Sequence, residues 1–264
     1  MVMQLPLYHP LRAFEEICML DQISGGRLDL GIGRGGVPME HAYFGVAADE
    51  ADEQYREISE IILQAMGSRE LNYEGKYFRF RDVPLVLSPF QKPRPALWCG
   101  TANPMTGLWA ARSSVNVISI GAPGAIRQLT DGYRQEWDAS AKPADAIPFL
   151  GMIRMIVIAE TEERAYTLAA PAYARWFDTL TALWRRHDTP APYKLPSDII
   201  GASDAGICLI GTSKNVTERL LIQAAETRVN YLSAHVAFGD LPVQAAISTV
   251  ESLAADVIPH LHVK

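Results

Sequence analysis

A rhythm limits what this chain can become more than any single motif does. Short apolar runs of strand length alternate with longer stretches whose apolar residues recur at helical spacing. The runs centre near residues 3, 30, 97, 117, 155 and 232. Each returns after a helix, so successive strands run parallel under a cover of helices. Residues 1–5 read as the tail of a buried strand. His9-Pro10 opens the first helix, with Pro10 near the first turn, where no N–H is needed. Phe14, Ile17, Cys18 and Asp21 share one face of it, with Leu20 beside them, and Ser24-Gly25-Gly26 ends it. Leu28, Leu30 and Ile32 then alternate as a strand. Further helices are expected from about Glu50 to Met66, from Pro104, from about Ile126 to Trp137, from Glu162 and from Thr212 or Ser213. The last begins near Asp240, buries Ala246, Val250, Leu253 and Val257, and stops at Pro259.

Five and a half strand–helix units fit either an open doubly wound sheet or part of a closed (β/α)8 TIM barrel. A barrel takes about 250 residues without insertions. This chain has 264 residues and spends some of them on an excursion at about 67–94. There "LNYEGKYFRF" reads as a hairpin turning at Glu74-Gly75, and "PLVLSPFQKPRP" is too proline-rich for a central strand. A second irregular stretch, at about 172–210, is expected to be a large loop or helical insertion. Its Trp176, Phe177, Trp184 and Tyr193 either line a hydrophobic mouth or pack a helix against the barrel wall. The barrel reading gives a single α/β domain over residues 1–264 that lacks its first two to three βα units. A misassigned start, a fragment, or a partner that supplies the rest would each explain this. Such a barrel has raw edges, which predict insolubility or self-association.

Composition narrows the partners. The net charge of -6 gives no electrostatic reason to expect nucleic acid or an acidic membrane surface. No apolar stretch is long enough to span a membrane, and no basic-then-apolar leader opens the chain, so a cytoplasmic location is expected. Cys18, Cys99 and Cys208 are scattered and read as buried thiols in a reducing compartment. The histidines show no metal-site spacing, and no metal is expected.

Two features suit an anion. In "GIGRGG", residues 31–36, a strand ends and the backbone turns through glycines able to take positive φ. Arg34 projects from the turn, with Gly35 and Gly36 behind it, and offers a fork of donors matched to phosphate oxygens. The pattern is not the dinucleotide fingerprint, since the arginine interrupts it and no strong helix start follows. The plainer reading is a tight turn whose arginine pairs with a surface carboxylate. In "CGTANPMT", residues 99–106, Asn103 is a good N-cap and Pro104 a good first helical residue. That leaves the N–H groups of residues 105 and 106, with the Thr106 hydroxyl, for an anion at the positive end of the helix. A plain cap is the alternative. Both features follow successive strands, so one arginine and one helix start are expected to clamp the same phosphate. Asp49, Asp52 and Glu53 precede a helix and read as complements to its dipole.

At this point the chain resembles the bacterial luciferase-like flavin-dependent oxidoreductases. The matching pieces are "LPLYHPLR" (5–12), "LDQISGGRLDLGIGRG" (20–35), Phe44-Gly45, "YEGKYFRFRDVPL" (73–85), "PFQKPRPALWCG" (89–100), Gly211-Thr212 and "AADVIP" (254–259). The resemblance implies a (β/α)8 barrel with an excursion between its fourth and fifth strands. It implies reduced FMN and O₂ acting as a monooxygenase on a small, apolar organic substrate, or the deazaflavin F420 in a hydride-transferring branch. It implies a homodimer, with the flavin reduced either by a separate flavin reductase or in place by a nicotinamide. Arg34 corresponds to the family's phosphate ligand, and Asn103 and Thr106 to its second phosphate contact. A strained peptide of the flavin pocket would fall at Met1-Val2. No residue matches the histidine of the luciferase type, which would precede the chain, so no catalytic residue is named. An inactive homologue that only binds flavin or pairs with relatives is the remaining alternative.

Overall fold

The computed structural model describes residues 2–192 and 195–261. Met1, Tyr193 and His262 lie outside them. The chain divides into two compact units, Met1–Gly100 and Thr101–Lys264.

In the first unit β1 (Val2–Gln4), β2 (Asp29–Gly33) and β5 (Ala96–Gly100) run parallel in that spatial order. Val2 lies opposite Gly31, and Leu30 opposite Leu97. Sequence predicts a buried first strand, yet Val2 is exposed, and burial begins at Leu5. Helix α1 (Pro10–Ser24) starts after an extended His9 and ends at Gly25, whose φ of +64° closes the last turn onto Asp21 and Gln22. Its buried face carries Ala13, Phe14, Ile17, Cys18 and Asp21, while Leu20 points to solvent instead of flanking them. Asp21 tolerates burial because its carboxylate accepts from the Gln91 backbone N–H at 2.9 Å and from Gln91 Nε2 at 2.8 Å. Helix α2 (Pro38–Tyr43) follows β2, and α3 (Ala51–Met66) buries Ile58, Ile61, Ile62 and Ala65. Strands β3 (Glu70–Glu74) and β4 (Arg79–Pro84) pair antiparallel as a separate two-stranded sheet, the expected hairpin.

The second unit continues with α4 (Pro104–Arg112), β6 (Asn116–Ser119), α5 (Pro123–Ala139) and β7 (Leu150–Ile158). Next come α6 (Glu162–Arg186), α7 (Ile199–Asp204), β8 (Cys208–Gly211), α8 (Ser213–Thr227), β9 (Tyr231–His235) and α9 (Val243–Ser252). Strand β7 is central. Phe149 O accepts from Val117 and Met155 N–H reaches Ile207 O, whereas Leu150 O accepts from Asn230. Odd and even residues address opposite edges, so β6 and β8 share one edge of β7 and β9 holds the other, all parallel. The even-numbered side chains Met152, Ile156 and Ile158 pack with Ile126, Val216, Leu220 and Val257 under the helices. Arg154 lies among them, fully buried, with Nε 2.6 Å from Gln223 Oε1. Burial pulls its guanidinium down to about 10.

Helix α6 runs without a break through the first part of the expected insertion, 172–186. Trp184 is buried, and Trp176 and Phe177 lean on Tyr173, so these rings pack a helix. Val250 is exposed, contrary to the helical spacing read for the last helix. Thr249 takes the inward place, its hydroxyl accepting from Ile158 N–H at 3.1 Å, and a π turn over Leu253–Val257 restores apolar burial. Among the described residues the first unit holds three parallel strands and the second four. Six of them match the six read from the sequence, β8 is one that reading did not name, and together they fit a reduced TIM-barrel-like architecture. Among the described residues no helix is long and apolar enough to cross a membrane.

Candidate functional site

Strand β2 delivers its last residue, Gly33, to a turn formed by Arg34, Gly35 and Gly36 before Pro38 opens α2. This is the C-terminal end of a parallel strand, where α/β folds collect ligands. Gly35 has φ +88°, a conformation that strains any residue with a Cβ. Space forbids one as well: a Cβ there would sit 2.6 Å from Gln4 Oε1 and 2.8 Å from His41 Nε2. The turn is thus wrapped on its inner side by the last residue of β1 and by α2.

His41 is 2% exposed and places Nε2 2.9 Å from the Arg34 carbonyl oxygen. A carbonyl only accepts, so Nε2 carries the proton. Nδ1, on the other side of the ring, is buried with no partner among the described residues, as is Gln4 Oε1. The Arg34 side chain leaves on the open side, 44% exposed, with Nε 3.5 Å from Asp52 Oδ1. The carboxylate pairing that the plainer reading anticipates is therefore present. It is a long, single, solvated contact, of a kind that contributes about 0–1 kcal/mol, so the guanidinium fork remains available to a better acceptor.

The second expected feature stands in the other unit. Asn103 caps α4, its Oδ1 accepting from Met105 N–H at 2.9 Å, and Thr101 Oγ1 accepts from Asn103 N–H at 3.0 Å. The cap is as predicted, with one difference. The Met105 N–H expected to face a ligand is already taken by Asn103. What remains at this end is the helix dipole and the half-buried Thr106.

Sequence reasoning passed over His41 and Gln4. A weak signal existed, since Pro38 starts a short helix on which position 41 falls one turn along, but nothing local says that this turn folds back over Arg34. The second unit carries a further feature that alternation alone does not expose. The odd-numbered face of β7 bears Ile153, opposite Ser233, and Met155, opposite His235. Ile153, Ser233 and His235 are half-buried, whereas Met155 is fully buried in the cluster it shares with Val157, Tyr173 and Phe238. Ile153, with Ser233 and His235 beside it, is the partly open portion of this face.

The three cysteines are free and buried. Burial pushes the Cys18 thiol up to about 11 and Cys208 up to about 12, and raises Cys99 as well. None has the low thiol pKa of a nucleophile.

The sequence profile of the luciferase-like monooxygenase family matches residues 1–230, and the chain belongs to that family. It is 43% identical over 258 residues to the uncharacterized protein y4wF of Sinorhizobium fredii, covering 98% of this chain and 75% of that one. Limonene 1,2-monooxygenase of Rhodococcus erythropolis is 23% identical over 270 residues, 99% of this chain and 68% of the relative. Among solved structures, monooxygenase RslO1 from Streptomyces bottropensis matches with a TM-score of 0.84 at 24% identity, covering 98% of this chain and 76% of that one. The oxygenating constituent of 3,6-diketocamphane monooxygenase from Pseudomonas putida, in complex with FMN, matches at 0.79 and 20% identity, covering 99% and 79%. At those identities the structural likeness speaks for the fold.

Proposed function

We propose that this chain is an FMN-dependent monooxygenase that uses reduced flavin and O₂ on a small, apolar organic substrate. The observation that carries the reading is the glycine-wrapped turn at the end of β2, in a member of the luciferase-like family. The residues present fit a flavin phosphate. Gly35 holds a φ of +88° with no room for a Cβ on its inner side, so the turn presents bare backbone on the other, and beside it stands a solvated guanidinium whose present partner is a distant carboxylate. Bound there, reduced FMN supplies the chemistry that activates O₂ for insertion of one oxygen atom into the substrate.

The chain's own residues bind and orient. Arg34 holds the phosphate with charge-assisted hydrogen bonds, and the Gly35-Gly36 backbone lets it approach closely. In the second unit the start of α4 offers an anion contact of its own, through its dipole and Thr106, with Asn103 fixing the turn. The half-buried Ile153 presents an apolar side chain that keeps water from an apolar substrate. A separate reductase supplies the reduced flavin, the protein works in the cytoplasm, and two copies form a homodimer. The exposed apolar side chains Met19, Leu20 and Ile23 of α1 support the last point.

Flavin titration tests the phosphate contacts. Arg34→Ala should weaken FMN binding about tenfold to a hundredfold, as expected for charge-assisted bonds of roughly 1.5–3 kcal/mol. Thr106→Ala loses one neutral hydroxyl and should cost about 1 kcal/mol. Riboflavin, which lacks the phosphate, should bind weakly and respond to neither substitution. Equal losses for FMN and riboflavin would make Arg34 a structural residue. Turnover with reduced F420 and none with reduced FMN would replace the cofactor by the deazaflavin.

A further inference from the structure

We infer that His41 is a positioning residue for the flavin phosphate: by holding the Arg34 carbonyl, it turns the Gly35 N–H outward as a second donor beside the Arg34 guanidinium. The inference rests on the phosphate reading of this turn and adds to it a donor and the side chain that aims it.

The geometry runs through one peptide plane. The bond between Arg34 and Gly35 is trans, since Lys92-Pro93 is the one cis peptide among the described residues. In a trans peptide the C=O and the following N–H point in opposite directions. The Arg34 oxygen is directed at His41 Nε2, 2.9 Å away, and that ring is buried. The Gly35 N–H on the opposite edge of the plane is therefore directed away from the buried ring. Arg34 sends its side chain to solvent from the same short turn. A backbone donor and a guanidinium leaving one turn form the kind of concave donor set that receives phosphate oxygens.

Three features keep the plane from rotating. Val46 N–H and Phe44 N–H both donate to the His41 carbonyl, at 2.9 and 3.0 Å, which pins α2 and the ring it carries. Gln4 Oε1 fills the space beside Gly35 on the inner side. Gly35 itself tolerates φ +88°, which the outward N–H requires. Without the His41 donor, the Arg34 carbonyl would be left unpaired against a buried ring, and rotation of the plane toward solvent would relieve it. That rotation would turn a carbonyl oxygen toward the phosphate and replace attraction by repulsion.

The test uses the full chain with FMN and riboflavin as probes. Glycine-selective ¹⁵N labelling reports the Gly35 amide. It should move downfield when FMN binds and stay in place when riboflavin binds. His41→Phe keeps a ring and removes the donor. It should abolish that shift and weaken FMN binding about fivefold to tenfold, the loss of one hydrogen bond, while riboflavin binding stays within about twofold. His41→Gln, which returns an N–H at similar reach, should recover most of the FMN affinity. A His41→Phe protein that binds both flavins equally less well, or neither less well, overturns the inference, and so does a Gly35 amide that ignores FMN in the wild type. The wild-type ¹⁵N spectrum adds a check that needs no variant: the ring must carry its proton on Nε2, and an Nδ1–H tautomer overturns the inference. If Arg34→Ala leaves the ratio of FMN to riboflavin affinity unchanged, the phosphate reading falls and takes this inference with it. If Arg34→Ala changes that ratio and His41→Phe does not, the inference alone falls.

Discussion

At the scale of single residues, burial decides what the reactive-looking groups do. Cys18, Cys99 and Cys208 are scattered through the sequence, and the structure buries each of them. A thiol reagent at pH 8 should label almost none of them in the folded chain and all three after denaturation. Rapid labelling of native protein would contradict the burial. The same burial carries a pH dependence. The Cys18 thiol moves from 9.0 in the ordinary case to about 11 when folded, chiefly by desolvation and next by the nearby Asp21. The unfolded chain therefore releases this proton first as pH rises. Stability falls from about pH 9 to about pH 11, because the folded state there binds more protons than the unfolded one. Melting curves at pH 8 and pH 10, with Cys18→Ala for comparison, should show a smaller alkaline loss in the variant. Glycines give the other residue-level lesson. Composition counts them alike, yet Gly35 is fixed both by its φ and by two side-chain atoms that a Cβ would strike.

At the scale of elements, the hairpin of β3 and β4 shows how an excursion is held. Its turn wraps a carboxylate: Glu57 of α3 accepts from the backbone N–H groups of Lys76 and Tyr77 at 3.1 Å and of Phe78 at 2.7 Å. Gly75 is glycine because a Cβ there would fall 2.2 Å from Glu57 Oε1. The flanking Lys76–Glu53 pair at 2.7 Å is exposed and adds little. Glu57→Ala should destabilise the protein by about 2–3 kcal/mol through lost charge-assisted bonds. Amide exchange at residues 76–78 should accelerate more than exchange within α3. Unchanged protection of those three amides would mean that the aromatic arms hold the hairpin without the carboxylate. From sequence, "YEGKY" reads as a turn on its glycine, and the antiparallel pairing bears that out. The carboxylate that the turn encloses lies about twenty residues away, outside any local pattern.

At the scale of the whole molecule, the outward side of α1 sets the prediction. Leu20 is 54% exposed and Ile23 83%, with Met19 beside them. An apolar group of this kind on a helix exposed to water favours association. The homodimer proposed above should dissociate when Leu20→Glu and Ile23→Lys are combined. Sedimentation velocity should show a monomer while circular dichroism shows the same helix content. A dimer that survives both changes would have to be built on another surface.

The sequence by itself determined most of the order of strands and helices, though not β8, α2 or α7, and it determined the glycine turn after β2, the cap at Asn103 and the hairpin as a separate piece. These follow from period, turn chemistry and capping, which act between residues a few positions apart. The family followed too, because the resemblance rests on ordered short motifs. Only the tertiary structure decided what lies opposite each buried face. Period placed Asp21 among apolar neighbours, and the chain's return brought Gln91 to satisfy it. It placed Val250 inward, where Thr249 is the buried residue instead, while Leu253 and Val257 are buried as read, on a π turn. It gave His41 no partner at all, and the fold set its ring against the Arg34 carbonyl. Periodicity records which side of an element leaves water, whereas a hydrogen-bond partner depends on where a distant segment comes back.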